Sequence, residues 1–496
     1  MNDLSLAHRS AYRQQPDHGR VVARLFIPGQ ELTGGSEART ASTVARVLAV
    51  DHATVVVSMN DLYDRFRHRH DDIEGLFDRH AQRVIDYVDG TPLSPEHRQL
   101  LGAVFTHEFA LEGAAVCNPS LVVHPDQTGL APGALRFVMS FRAIGEGHIS
   151  SLCFRSGVVD EHGDFQVDPA AAFPVIAATN AGVIDRETVH CLLRDRGCDG
   201  PTAASVLDTL PELFSVSELE NALARSAEQS DTRVNVAEIT AVLRDVAPLF
   251  YEAHFSPEVE LSRRVLWPAT VAESRGMEDA RFVLTDEDGQ PVYRASYTAF
   301  DGAGVTQQVL TTTDFVHFTS APLTGLGARN KGLAFFPRPV GGRFRALSRH
   351  DRESNVLVSS DSQHCWDETS LLQIPESQWE LIQLGNCGSP IEVAGGWLVL
   401  THGVGPMRTY SLGAIVLDLE DPSRVRAVLP GPLLVATPRE QDGYVPNVLY
   451  SCGSLVHAGI LHVVFGIADQ SIGHATVNVD ELLAAMVETD DEYSRF

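Results

Sequence analysis

Thr311-Thr312-Thr313-Asp314-Phe315-Val316-His317-Phe318 is echoed, about 40–50 residues further on, by Val358-Ser359-Ser360-Asp361 with Trp366 behind it. Each copy is a β-prone run, a turn of small residues and aspartate, and an aromatic wedge. Recurrence at that period suits four-stranded blades stacked around an axis. On the repeat alone a β-sandwich or a β-helix stays open.

The surrounding texture agrees with a mainly β chain. From Asn118 onward, short apolar runs (120–123, 135–140, 148–154) alternate with Gly, Pro and Asp punctuation. The pattern breaks over 185–255, where Ser217-Glu218-Leu219-Glu220 fits a capping box. Val236, Ile239, Leu243, Val246 and Phe250 then fall at helical spacing. This stretch is expected to be a helical insertion, with β texture resuming near Val265 and running to about residue 475. Residues 1–112 read as a mostly helical extension: Leu62, Phe66, Ile73, Leu76, Phe77, Val84 and Val88 keep helical spacing. Ser94-Pro95-Glu96 starts another helix, a side-chain cap followed by proline where no N–H is needed. The expected domains are this extension, a β domain over 113–480, and a helical, acidic tail over 481–496.

A net charge of −27, from 38 Lys and Arg against 65 Asp and Glu, repels nucleic acid and anionic membranes. A basic cluster inside such a chain is therefore local. Seven scattered cysteines without a Cys-x-x-Cys pair point to a reducing compartment and away from structural zinc. The first residues show no secretory pattern and no apolar run reaches spanning length, so a soluble cytoplasmic protein is expected.

Gly276-Met277-Glu278-Asp279-Ala280-Arg281-Phe282 carries the chemistry. A carboxylate at the start of a strand, flanked by a fixed cation, is oriented for proton transfer; alone, the same residues also describe a structural Asp–Arg pair closing a turn. Further clusters place polar residues beside glycine in apolar context: Asn118-Pro119 with Arg136, Arg142 and Arg155; Asn330-Lys331-Gly332 with Arg349-His350-Asp351; His402-Gly403-Val404 with Tyr410; Asn447; and Gly466-Ile467-Ala468-Asp469. No Walker loop or Gly-x-Ser-x-Gly elbow is present, and His68-x-His70 is read as surface, not metal.

In order, these blocks resemble glycoside hydrolase family 130, the mannoside phosphorylases and related enzymes, over roughly 115–480 apart from the insertion. The resemblance implies a five-bladed β-propeller with the site in its axial funnel. It implies Asp279 as general acid, protonating the glycosidic oxygen through a hydroxyl of the mannosyl ring while phosphate attacks from the opposite face. It further implies Arg142, Arg155, Lys331, His402 and Tyr410 as phosphate ligands, and Asn118, Glu278, Arg281, Asn447 and Asp469 as sugar-binding residues.

The expected activity is inverting phosphorolysis of a β-mannoside to α-mannose 1-phosphate and a shortened sugar, with inorganic phosphate as co-substrate and no metal or cofactor. Phosphate is already an anionic nucleophile, so such a site needs one acid and a cationic cradle, whereas an inverting hydrolase needs a second carboxylate. One unit charge about 4 Å from an arginine gains about 4 kcal/mol at intermediate dielectric. The alternatives are an inverting β-mannosidase of the same fold, and a non-catalytic propeller that binds carbohydrate or protein. The expected partners are a mannose-containing oligosaccharide and phosphate, with neither nucleic acid nor membrane. The helical additions offer a surface for self-association.

Overall fold

Successive antiparallel meanders of four strands make up most of the chain in the computed structural model, which describes residues 5–28, 36–88, 90, 92–229 and 233–489. The first sheet runs Ala115–Val123, Leu135–Ile144, Ser150–Val159, Phe165–Val167. The second runs Gly276–Glu287, Gln290–Phe300, Val305–Thr312, His317–Pro322. The third runs Ala334–Phe335, Phe344–Ser348, Asn355–Ser360, Glu368–Gln373. The fourth runs Gln383–Asn386, Gly396–Val404, Tyr410–Leu417, Val425–Val428. In the fifth, Leu449–Tyr450, Ile460–Ile467 and Ser471–Asn478 are completed by the N-terminal strand Ala7–Gln14.

Period-2 alternation explains how the sheets stack. Gly396–Val404 is buried along its whole length, as a strand covered on both faces must be. Its Trp397 and Val399 join Leu347 and Leu357 of the third sheet. The intervening Leu398 and Leu400 join Val463 and Phe465 of the fifth. Val283 and Val309 of the second sheet pack with Val358 and Trp366 of the third. Phe154 of the first sheet meets Phe282, Phe315 and Phe318 of the second. Phe165 of the first stacks on His474 of the fifth at 3.9 Å. The two aromatic wedges of the sequence repeat, Phe318 and Trp366, are therefore core residues between sheets.

Two compact units divide the chain: 1–16, 114–170 and 176–496 in one, 17–113 and 171–175 in the other. The second unit holds the helices Ser36–Leu48, His52–Phe66, Ile73–Arg83 and Pro95–Val104 and the hairpin of Val21–Leu25 with Thr106–Ala110. Ser94 caps the last helix, accepting from His97 N–H at 3.2 Å. The expected mostly helical extension thus gives up its first strand, Ala7–Gln14, to the fifth sheet.

The insertion leaves and re-enters through the outer edge of the second sheet, where Ala178–Ala181 and Tyr251–His254 add two strands beyond His317–Pro322. β structure therefore resumes before Val265. Between them lie the helices Arg186–Asp195, Pro201–Leu207, Val216–Gln229 and Arg233–Val246, with Ile239, Leu243, Val246 and Phe250 in their core; the Val236 side chain lies outside the described residues. The capping box is Ser215/Glu218, whose groups bond reciprocally, not Ser217/Glu220; Glu220 pairs with Arg244 at 2.8 Å.

Cys191 of the insertion and Cys365, in the turn before Glu368–Gln373, form a disulfide, against the expectation of a reducing compartment, while the other five described cysteines lie outside it. Val479–Ala484 is the terminal helix, capped by Asn478, and residues 490–496 of the expected tail lie outside the described residues. Among the described residues no single helix is long and apolar enough to cross a membrane.

Candidate active site

The first strands of the first two sheets carry the same defect. Glu278 pairs with Thr298 and Arg281 with Ser296, so three steps on one strand oppose two on the other. Cys117/Arg142 and Ser120/Ser140 repeat that mismatch in the first sheet. Each is a β-bulge, and each bulge residue is left-handed: Asp279 at φ 57° and Asn118 at φ 52°. Such a conformation costs a non-glycine residue about 1 kcal/mol. Here it turns the two side chains out of the ladder toward one another, and Asn118 Nδ2 donates to Asp279 Oδ1.

Cations surround this pair. Arg142 Nη2 donates to Glu278 Oε1 at 2.6 Å and its Nη1 lies 3.9 Å from Asp279 Oδ1. Lys331 Nζ bonds the other oxygen of Glu278. Arg281 Nη1 donates to the Asp279 carbonyl at 2.9 Å and Nη2 to the Tyr450 hydroxyl at 2.7 Å. Burial alone would raise the Asp279 pKa, but Lys331, Arg142, Arg281 and the Asn118 amide outweigh it and hold the carboxyl below its ordinary value.

Asp469 sits in the tight turn Ala468–Asp469, both left-handed, which closes the hairpin of the fifth sheet. Val116 N–H donates to the neighbouring Gln470 carbonyl at 3.1 Å, seating this turn on the strand of Asn118. Burial first, then the charge of Asp279, pushes the Asp469 carboxyl up to about 6, against the opposing pull of Arg142 and Arg408.

His402 lies in the fourth sheet, its ring against Tyr450 at 4.8 Å and Tyr410 at 6.1 Å. Its Nδ1 faces the Asn386 carbonyl at 3.1 Å, so Nδ1 carries the proton and Nε2 accepts from Arg349 Nη1 at 3.1 Å. Burial and the charges of Arg349 and Arg281 hold its pKa well below the usual value, so the imidazole is neutral. Asn386 Nδ2 reaches the Gly332 carbonyl at 2.7 Å, and Asn330 Nδ2 reaches the Arg349 carbonyl at 3.1 Å. These bonds tie the Lys331 segment to the His402 cluster.

The structure thus brings together Asn118, Arg142, Glu278, Asp279, Arg281, Lys331 and Asp469, and joins His402 and Tyr410 to them through Tyr450. Asn447, left-handed at φ 64°, flanks the group, its carbonyl accepting from Tyr410 N–H at 3.0 Å.

Several expectations need correction. Arg155 is opposite Met139 whereas Arg142 is opposite Leu152, an odd offset that puts the two arginines on opposite faces of one sheet. Arg155 lies over the Phe141 ring at 4.9 Å, on the face opposite Arg142. Glu278 has both oxygens engaged by cations, and Arg281 is buried on the Asp279 backbone and Tyr450, so each is held first by protein partners. His402 directs its acceptor at Arg349, so the charge an anion would meet there is arginine.

Asn386 and Tyr450 are members that sequence reasoning missed, and Arg349 was placed in a cluster without a role. For Asn386 the signal available was an Asx residue in or just before the first strand of every sheet, Asn118, Asp279, Asn330, Asn386 and Asn447, the last four about 50–60 residues apart. Among the described residues no three His, Cys, Asp or Glu side chains converge as metal ligands.

A family model described as beta-1,4-mannooligosaccharide phosphorylase matches residues 251–488. A 1,2-beta-oligomannan phosphorylase of Thermoanaerobacter sp. (strain X514) is 30% identical over 228 residues, covering 45% of this chain and 75% of the relative. A beta-1,2-mannobiose phosphorylase of Listeria innocua is 28% identical over 225 residues, 44% of this chain and 62% of that protein. A solved structure of the Listeria innocua beta-1,2-mannobiose phosphorylase with beta-1,2-mannobiose aligns at 19% identity and TM-score 0.44, over 76% of this chain and 92% of that one.

Proposed function

The chain belongs to glycoside hydrolase family 130, and from that membership and the site geometry we propose that it is an inverting glycoside phosphorylase. Its substrate is a β-mannoside, and its products with inorganic phosphate are α-mannose 1-phosphate and a shortened sugar. The carrying observation is the charge around one acid. Arg142, Arg281, Lys331 and Arg349 outnumber the carboxylates Glu278, Asp279 and Asp469 within a chain whose net charge is −27. An anion is the missing partner.

Phosphate bound by Arg142, Lys331 and Arg349 neutralises the charges that hold Asp279 ionised, so Asp279 takes up a proton as the nucleophile arrives. That proton passes to the glycosidic oxygen through a ring hydroxyl while phosphate oxygen attacks the anomeric carbon from the opposite face. Asn118 orients the acid, neutral His402 orients Arg349, Tyr410 packs beside it, and Asn447 and Asp469 bind sugar hydroxyls. The five sheets are the blades of a five-bladed β-propeller, a reading supported by the packing of each sheet on the next and of the fifth on the first. A cytoplasmic setting accords with Cys117, Cys387 and Cys452 being buried thiols outside any disulfide.

One observation favours a second reading. Asp469, with a pKa near 6, is suited to act as a base at neutral pH, as an inverting hydrolase requires. Turnover of β-1,2- and β-1,4-mannobiose with and without phosphate separates the two. The proposal expects cleavage only with phosphate. Equal cleavage without it overturns the proposal in favour of hydrolysis.

A further inference from the structure

Two hairpins of the β domain end in the same tip. In the first sheet Gly145 N–H bonds the Ile149 carbonyl at 3.0 Å, with Gly147 and His148 left-handed. In the fourth, Gly405 N–H bonds the Thr409 carbonyl at 3.0 Å, with Met407 and Arg408 left-handed. Three residues before the tip glycines stand Arg142 and His402, so each tip follows a site residue on its own strand. Met407 is 86% exposed and holds a strained φ of 57° that a surface methionine does not need for packing.

A third segment crosses toward the first tip. Tyr444 is 42% exposed, yet its hydroxyl bonds His148 Nδ1 at 2.6 Å and the rings are 5.8 Å apart. The loop carrying it is anchored on the site. Val445 N–H donates to the Ala468 carbonyl at 2.8 Å, beside Asp469, and Asn447 follows two residues later. A Cβ on Gly443 would fall 2.6 Å from the Ala468 side chain, so only glycine lets the loop lie this close. On the other side, Ser150, two residues after His148, donates to the Met277 carbonyl at 3.1 Å, beside Glu278.

An exposed aromatic fixed by a polar partner, on two arms that both lead down to the acid, has the form of a sugar platform: apolar ring face for C–H groups, hydroxyl for the rim. We propose that Tyr444, held by His148, binds the leaving-side sugar of the substrate and sets which acceptor the enzyme uses. This deepens the phosphorylase reading and rests on it for the identity of that sugar.

The reverse reaction tests it, with α-mannose 1-phosphate as donor and mannose as acceptor. Tyr444→Ala is expected to raise the acceptor KM about tenfold or more, about 1.4 kcal/mol, while the donor KM stays within about twofold. Tyr444→Phe, which keeps the ring but loses the bond to His148, is expected to raise the acceptor KM by less, about threefold, with the donor KM again within about twofold. An unchanged acceptor KM in Tyr444→Ala, or an equal rise in the donor KM, overturns the assignment. Calorimetric titration of β-1,2-mannobiose into Asp279→Asn and into Asp279→Asn with Tyr444→Ala, neither of which has the acid, gives a readout independent of turnover. About tenfold weaker binding supports the platform even if wild type cleaves without phosphate, whereas equal binding rejects it.

Discussion

Asp469→Asn should make the protein more stable while impairing it as an enzyme. Asp469 carries a proton up to about pH 6 in the folded protein because burial and the neighbouring Asp279 charge disfavour its anion. In the unfolded chain the same carboxyl ionises near pH 4. The folded protein therefore holds this proton more tightly, and it loses stability as pH rises from about 4 to about 6, with a constant penalty above. Integrated over that window, the penalty is about 3 kcal/mol at pH 7.5 and about 1 kcal/mol at pH 4.5; partial exposure of the side chain makes both figures ceilings. Asparagine mimics the protonated acid and escapes the penalty. All four tryptophans, Trp267, Trp366, Trp379 and Trp397, lie in the unit that holds the site. Urea unfolding followed by their fluorescence reads that unit alone. The variant should gain stability at pH 7.5 and clearly less at pH 4.5, with weaker sugar binding. A loss of stability at pH 7.5, or a gain independent of pH, would refute the reasoning.

The remaining predictions concern the cations and the disulfide. Arg349→Ala should raise the phosphate KM by about 10- to 100-fold, the worth of a charge-assisted hydrogen bond of about 1.5–3 kcal/mol; an unchanged KM counts against Arg349 as a ligand. Arg155→Ala should leave the phosphate KM unchanged and lower the melting temperature, since it removes a buried guanidinium stacked on Phe141. Kinetics and a thermal melt decide between this and a direct phosphate role. Cys191→Ser should destabilise the unit by about 2–4 kcal/mol, because the disulfide closes a loop of 174 residues. Its unfolding should then be insensitive to reductant, and wild-type melting unaffected by reductant would contradict this.

The sequence made the β texture, the insertion and the acid legible for local reasons. Alternating short runs, helical spacing at Ile239, Leu243 and Val246, and the Glu278-Asp279-x-Arg281 block all declare themselves within a few residues. What escaped was non-local. Ala7–Gln14 pairs with Ser471–Asn478 from the other end of the chain, a partnership no window of sequence contains. Arg142 and Arg155 look alike as arginines on successive strands, and only the register fixes which face each one takes. The Ser215/Glu218 cap lay two residues from an equally good-looking one, and the difference is where the helix begins. His402 was legible as a site residue but not as a neutral one, since its state depends on Arg349 and the Asn386 carbonyl meeting it from opposite sides. The role of Arg349 was hidden because its partner His402 is distant in sequence.

The central claim is that an inorganic anion, and not water, reaches the anomeric carbon opposite Asp279. Phosphorus NMR of the protein acting on β-1,2-mannobiose in phosphate buffer observes this step directly. The account predicts that a signal for α-mannose 1-phosphate grows as free phosphate declines in equal measure. Mannose accumulating while the phosphate signal stays constant would contradict it.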